Sequence, residues 1–232
     1  MRVKCFFMRL FICCIVAIVI LFPMGHQYAQ SVYITNLPSV ENNLLVSKII
    51  VLPGNQDDWK HASAIIERVS GLPESLLQSL IAKKIKIKLF TGSLTDQAEA
   101  AHLKGIKPRG YNTKSWDDVP GMGGGKTVLV KIGYSDKGMD HDSINLELHE
   151  LGHSVDQILL DDISETSYFQ FIWKKEVENL FPNQSYFIDY PEEFFAETFA
   201  MFYCGSESRA ELSTKAPLTY QYIESIEKCG YV

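Results

Sequence analysis

The chain is short of positive charge. Its 232 residues carry 22 Lys and Arg against 28 Asp and Glu, a formal net charge of −6. That balance argues against a nucleic-acid binder, which needs a basic face to neutralise phosphates. Cysteine is also scarce. Of five cysteines, Cys5, Cys13 and Cys14 stand near the start, and only Cys204 and Cys229 lie beyond residue 30. At most one disulfide can then form there, so a disulfide framework does not hold the fold. Two free buried thiols fit these two positions equally well. No internal repeat and no low-complexity tract is present, which sets aside solenoids and low-complexity linkers. A phosphate-binding loop is missing as well. Gly123-Gly124-Gly125-Lys126 lacks the G-x-x-x-x-G-K-S/T spacing and precedes an expected strand, not a helix.

What the chain does have begins at its N-terminus. Arg2, Lys4 and Arg9 form a basic segment, followed by the 13-residue apolar run Leu10–Phe22 and by Pro23. The run is too short for a comfortable membrane span and reads as a secretory signal peptide over residues 1–30, cleaved near Ala29 or Gln30. The alternative is an uncleaved membrane anchor. Cleavage removes three basic residues and no acids, taking the net charge from −6 to −9. The remaining residues, 31–232, suffice for one domain with two lobes. The expectation is a secreted, extracellular monomer with no membrane attachment after cleavage.

The most specific signal is His149-Glu150-Leu151-Gly152-His153, an H-E-x-x-H motif. Residues i and i+4 share one face of a helix, so both imidazoles can reach one metal ion. Glu150 lies beside them and can take a proton from the attacking water, the core of a zinc hydrolase. The helix is supported by the apolar stripe Ile144, Leu148, Leu151, Val155 and Leu159, with Asp142 or Ser143 as its expected cap. Two structural histidines on an ordinary core helix would be the plainer reading. A mid-helix Gly152, about 1 kcal/mol worse than Ala, argues against it.

Catalytic zinc needs a third protein ligand. Tyr190-Pro191-Glu192-Glu193-Phe194-Phe195-Ala196-Glu197 opens a helix with Pro191 in its first turn and an almost wholly apolar continuation. Buried carboxylates on such a helix are rarely tolerated unless paired or metal-bound. Glu193 is favoured as the third ligand and Glu197 as a group that orients a ligand. Glu192 is also explained by attraction to the helix N-terminus.

Elsewhere, Ser47–Leu52, Ile85–Thr91 and Thr127–Ile132 read as strands. Helices are expected over about Asp58–Val69, Pro73–Lys83, Thr95–Leu103, Glu165–Leu180, Pro191–Tyr203 and Leu218–Lys228. Strands therefore concentrate before residue 133 and helices after it. The fold class is α+β, with a mixed lobe over about 31–140 and its small β-sheet. A helical lobe over 141–232 carries the metal site, and a cleft lies between the two. Residues 105–126 form a long Gly- and Pro-containing loop with Arg109, Tyr111 and Trp116, expected to lie flexibly over that cleft.

These segments together resemble a known family. The H-E-x-x-H motif, then Tyr186 seven residues before Glu193, then Glu193-Phe194-Phe195-Ala196-Glu197, resemble the anthrax lethal factor catalytic domain. Trp116-Asp117-Asp118-Val119-Pro120-Gly121, Asn145–Glu150 and Tyr190–Glu197 are closer still to the secreted Pro-Pro endopeptidases of Gram-positive bacteria. The resemblance implies a zincin-like fold and one zinc ion per chain. It implies cleavage between two prolines in proline-rich segments of cell-surface proteins, adhesins among them. It assigns His149, His153 and Glu193 to the metal, Glu150 to the general base, and Tyr186 to the transition state or to a fourth ligand position at rest. Arg109 falls where the family has a substrate-contacting lysine, Tyr111 where it has a tryptophan, and Glu192 where a carboxylate faces the basic residue. Together with Trp116 and the variable-loop residues Gly124, Gly125 and Lys126, these form the expected substrate-binding set. A lethal-factor-like toxin protease and a non-catalytic surface module with a structural metal are the competing readings.

The chemistry supports that implication. A Pro-Pro bond offers no N–H at its P1′ nitrogen, and its chain is held near polyproline II. A β-ladder cleft loses hydrogen bonds on it, whereas aromatic faces such as Tyr111, Trp116 and Tyr190 suit proline rings. Ordinary core packing is the competing account of each aromatic.

Overall fold

Ile and Lys alternate through the second strand, so Ile87 and Leu89 enter the core while Lys86 and Lys88 stay half-exposed. A computed structural model describes residues 26–37, 42–109 and 113–229. The expected leader up to residue 25, and Tyr111, lie outside that range. In chain order the helices are α1 (residues 26–35), α2 (Asn43–Ile49), α3 (Ser63–Ser70), α4 (Glu74–Ala82), α5 (Leu146–Ser154), α6 (Ser167–Leu180), α7 (Ser185–Asp189), α8 (Pro191–Cys204), α9 (Ser206–Lys215) and α10 (Pro217–Cys229). The strands are β1 (Ile50–Val51), β2 (Lys86–Phe90), β3 (Gly121–Met122) and β4 (Thr127–Lys131). The chain is thus a mixed α+β fold, mostly helical with one small sheet. No helix among the described residues is long and apolar enough to cross a membrane.

The sheet runs β1-β2-β4-β3. β1, β2 and β4 are parallel, with Ile50 opposite Ile87 and Ile87 opposite Val128. β3 runs antiparallel to β4 at the edge, with Gly121 opposite Val130. Both faces of β4 are covered, which is why Val128, Leu129 and Val130 form an unbroken apolar run. Val128 and Val130 join the main core. Leu129 belongs to a second cluster with Phe90, Leu94 and Ala100, closed by Trp116, Val119 and Met122.

Several sequence expectations need correction. Ser47–Ile49 completes α2, and only Ile50–Val51 is strand; local helix propagation outweighs the β preference of this short apolar run. The expected helix Thr95–Leu103 is two single 3-10 turns, Leu94–Asp96 and Ala101–Leu103, because each turn is too short to bury an apolar face of its own. The cap of α5 is neither Asp142 nor Ser143 but Asn145, whose side chain accepts the Leu148 N–H at 3.0 Å. The 105–126 loop is tied down along its described residues. Asp117 accepts from Gly105 N–H at 2.7 Å and from the Ser115 and Thr95 hydroxyls, and Trp116 N–H reaches Ile106 O at 2.8 Å. The short helix α9 and the helix α1 were not anticipated. Gln30 of α1 is buried, donating to Ile50 O at 3.0 Å and accepting from Leu52 N–H at 2.9 Å.

α5 and α8 cross at the heart of the helical half. A Cβ on Gly152 would stand 2.9 Å from Ala196 Cα, so the absence of a side chain lets the two backbones touch. Arg68 of α3 pairs with the fully buried Glu147 of α5, linking that helix to the sheet side. After Ser154 the helix widens into a π turn, Val155–Leu159. The buried Asp156 there accepts Ser164 N–H at 2.8 Å and Ser164 O–H at 2.7 Å. Cys204, at the end of α8, is a free thiol.

Candidate metal centre and active site

His149 and His153 stand one turn apart on α5, as the i, i+4 spacing requires, with their Nε2 atoms 3.2 Å apart. Glu193 comes from the first turn of α8. Its Oε2 lies 3.3 Å from His149 Nε2 and 3.2 Å from His153 Nε2. The three donors form a nearly equilateral triangle. Ligands held at about 2.0–2.2 Å by one tetrahedral ion stand roughly 3.3–3.6 Å apart, so the spacing fits a single zinc-sized ion. A second observation fits too. Glu193 is only 6% exposed, and its buried Oε2 has no directed hydrogen bond. Such an orphan oxygen is expensive unless a cation satisfies it. Among the described residues, His149, His153 and Glu193 are the group of His, Cys, Asp or Glu side chains that could hold a metal ion.

Glu197, one turn beyond Glu193, serves this centre from behind. Its Oε2 lies 2.9 Å from His149 Nδ1, and its Oε1 accepts the Ile144 N–H at 2.8 Å. Because a carboxylate can only accept, His149 carries its hydrogen on Nδ1 and presents Nε2 toward the triangle.

The electrostatics agree. Burial disfavours a charged His149, but the neighbouring Glu193 and Glu197 carboxylates outweigh it and raise its pKa. Burial likewise opposes charge on Glu193, and the two imidazoles overcome it, holding the carboxyl far below the usual range. The cluster therefore favours a cation at its centre. Glu150 behaves differently. Burial raises its pKa, with His149 and His153 pulling the other way, as suits a general base.

A cavity of about 760 Å³ opens over these groups. Its walls include His149, Glu150, His153, Glu193, Arg109, Trp116, Tyr186 and Glu192. Tyr186 reaches it from the short helix α7, packed edge-on to Tyr190 with ring centres 6.0 Å apart. Arg109 bonds Glu192 at 2.6 Å, approaches Glu193 at 3.6 Å and lies 3.8 Å above the Tyr190 ring. Glu192, in the first turn of α8, thus faces both the helix N-terminus and a guanidinium. Trp116 also closes the second apolar cluster, so cleft wall and core packing are both true of it.

The glycine loop is placed less simply. Gly121, Met122 and Gly123 line the cavity. Gly124 and Gly125 instead sit on α5: Gly124 N–H donates to Ser154 Oγ at 3.1 Å, and Ser154 O–H donates to Gly125 O at 2.8 Å. Lys126 is exposed beside them. Gln157 and His141 are among the cleft residues that escaped the sequence reading. Gln157 lines the cavity just past α5, and helical spacing one turn beyond His153 would have flagged it. His141 also lines it, with Nε2 donating to Tyr134 O at 2.7 Å and Nδ1 accepting from Ser143 O–H at 2.7 Å. Burial keeps its pKa low. No spacing signal marks His141, because a turn brings it there.

An H-E-x-x-H helix, an acidic third donor from a crossing helix and a cleft over both define the candidate metallohydrolase class. Comparison narrows it. The family described as anthrax toxin lethal factor, N- and C-terminal domain, matches residues 36–226. A Pro-Pro endopeptidase of Clostridioides difficile strain 630 is 43% identical over 190 residues, 81% of this chain and 86% of that one. A Pro-Pro endopeptidase of Paenibacillus alvei is 38% identical over 184 residues, 78% and 84% of the two chains. The solved structure of the Paenibacillus alvei Pro-Pro endopeptidase PPEP-2 superposes with a TM-score of 0.74 at 38% identity, covering 78% of this chain and 99% of that one. The chain belongs to the lethal factor domain family and, within it, to the Pro-Pro endopeptidases.

Proposed function

We propose that the protein is a secreted zinc endopeptidase that hydrolyses Pro-Pro bonds in proline-rich segments of cell-surface proteins. The carrying observation is the orphan Glu193 oxygen, equidistant from two imidazole nitrogens at the base of a cleft that also holds Glu150. The names of the relatives support the bond type. The arrangement is zincin-like, with the metal at the junction of a mixed lobe and a helical one. The leader over residues 1–30, extracellular release, a monomeric state and an adhesin substrate are parts of the same proposal.

His149, His153 and Glu193 hold one zinc ion, with Glu197 fixing the first of them. A zinc ion held there would supply Lewis acidity, lowering the pKa of water and polarising a carbonyl. Glu150 accepts the proton of the attacking water and passes it to the departing proline nitrogen. The Tyr186 hydroxyl donates to the oxyanion; in the resting enzyme it is a candidate fourth ligand. Trp116 and Tyr190 offer faces to proline rings, and Arg109, Glu192 and the loop Gly124–Lys126 set which flanking residues are accepted. A proline-centred peptide library digested by the purified protein and read by mass spectrometry tests this. Cuts confined to Pro-Pro bonds support it, and cleavage at other bonds removes the assignment.

A further inference from the structure

β3 and the turn after it run beside the very turn of α5 that carries Glu150. A methyl on Gly121 would stand 2.8 Å from Glu150 Cγ, 2.9 Å from its Oε1 and 2.9 Å from Leu146 Cδ1. A methyl on Gly123 would stand 2.0 Å from the Glu150 carbonyl oxygen. Side chains do not approach so closely, so neither position admits even alanine without movement. Neither glycine has a left-handed backbone, unlike Gly124 at φ 82°, so conformational freedom is not their reason. Their missing side chains serve close approach. One turn along, Ser154 clamps Gly124 and Gly125 to the same helix. The edge strand is therefore pressed against the general base along its length.

We propose that Gly121 and Gly123 are positioning residues for Glu150. The bare backbone of β3 restricts the Glu150 side chain from one side, and the bare Gly123 packs against the backbone of Glu150 and fixes where its side chain starts. This assigns the glycines a rigid role, where a loop sequence suggests mobility. It rests on reading Glu150 as the general base. A displaced base loses rate steeply, since about 1 Å of misplacement costs on the order of 10²-fold.

The experiment compares Gly121→Ala, Gly123→Ala and, as a control for glycine replacement, Gly54→Ala, whose added methyl meets nothing within 4 Å. kcat and KM are measured on a Pro-Pro peptide and expressed per bound zinc. The Gly123→Ala turnover is expected to fall about 10²-fold and that of Gly121→Ala about tenfold or more, with KM nearly constant and Gly54→Ala like wild type. Thermal melts separate positioning from simple damage. Gly121→Ala lowers Tm in the wild type, and the drop shrinks, though it does not vanish because Leu146 Cδ1 is struck too, when Glu150→Ala removes Cγ and the carboxylate. Wild-type turnover per zinc in both variants overturns the proposal, as does an equal Tm drop in both backgrounds. If the wild type cuts no Pro-Pro peptide, the functional reading fails, and the paired melts alone decide the role of Gly121.

Discussion

The two walls of the cleft are built on opposite principles. The helical wall, α5 and α8, works through side chains: two imidazoles and the carboxylates of Glu150, Glu193 and Glu197, set among buried Phe194, Phe195 and Phe199. The strand wall, residues 105–109 and 113–125, works largely through backbone: Gly121 and Gly123 for close approach, Asp117 to tie the loop, and Trp116 and Arg109 as projecting groups. Chemistry belongs to the first wall and fit to the second. A rigid helix pair is the better holder of a metal triangle, because a shift of a few tenths of an ångström separates ligation from a bare contact.

That division can be attacked from its strongest point. Replacing His149 and His153 together by alanine should abolish peptide cleavage and take the zinc content from one ion per chain to none. Retained zinc in that variant would show that the triangle is not the site. Glu150→Ala should be nearly as damaging and quite different in kind. Its kcat/KM is expected to fall about 10²-fold or more with zinc content and melting temperature unchanged. More than a tenth of wild-type activity would remove Glu150 from proton transfer.

Tyr186→Phe sharpens the boundary between the walls. A hydroxyl that meets only the oxyanion should lower kcat by about 2–4 kcal/mol of barrier while KM stays near wild type. An earlier melt with intact turnover would instead make Tyr186 a structural residue of α7. Glu197→Ala removes the partner of His149 Nδ1 without touching the triangle. Zinc affinity is expected to drop some 10- to 100-fold, measured by competition with a chelator. An unchanged affinity would mean that packing alone orients His149.

The smallest effect belongs to the strand wall. The Arg109–Glu192 pair bonds at 2.6 Å, but the Arg109 side chain is 52% exposed, so its worth is at most about 1 kcal/mol. Arg109→Ala should therefore shift the preferred flanking residues in a library digest and change overall kcat/KM about fivefold or less. A collapse of activity at every substrate would place Arg109 with the chemistry, and the two walls would no longer divide the work as described.

The helical wall was legible in the sequence almost residue by residue, because its information is local. His149 and His153 share a face by spacing alone, and Glu193 and Glu197 stand out as acids on an apolar helix beginning at Pro191. The strand wall was legible only in composition. Its glycines suggested freedom, while the actual requirement was contact with a helix some 25 residues further on, which no local pattern encodes. The same reason hid His141 and the start of the sheet. Ser47–Ile49 is as apolar as a strand, yet it joins α2, whose neighbours are brought in by tertiary packing.

The sequence by itself singled out the candidate metal ligands, the proposed general base and the helix periods that carry them, because i, i+4 spacing and burial patterns are properties of a chain segment. Tertiary structure alone decided that α5 and α8 cross at Gly152 and Ala196, bringing three donors within 3.3 Å of one another. It alone gave Glu197 its partner and pressed β3 against Glu150. These are meetings between segments distant in sequence, and their geometry follows from close packing of backbones that single-chain periodicity does not describe.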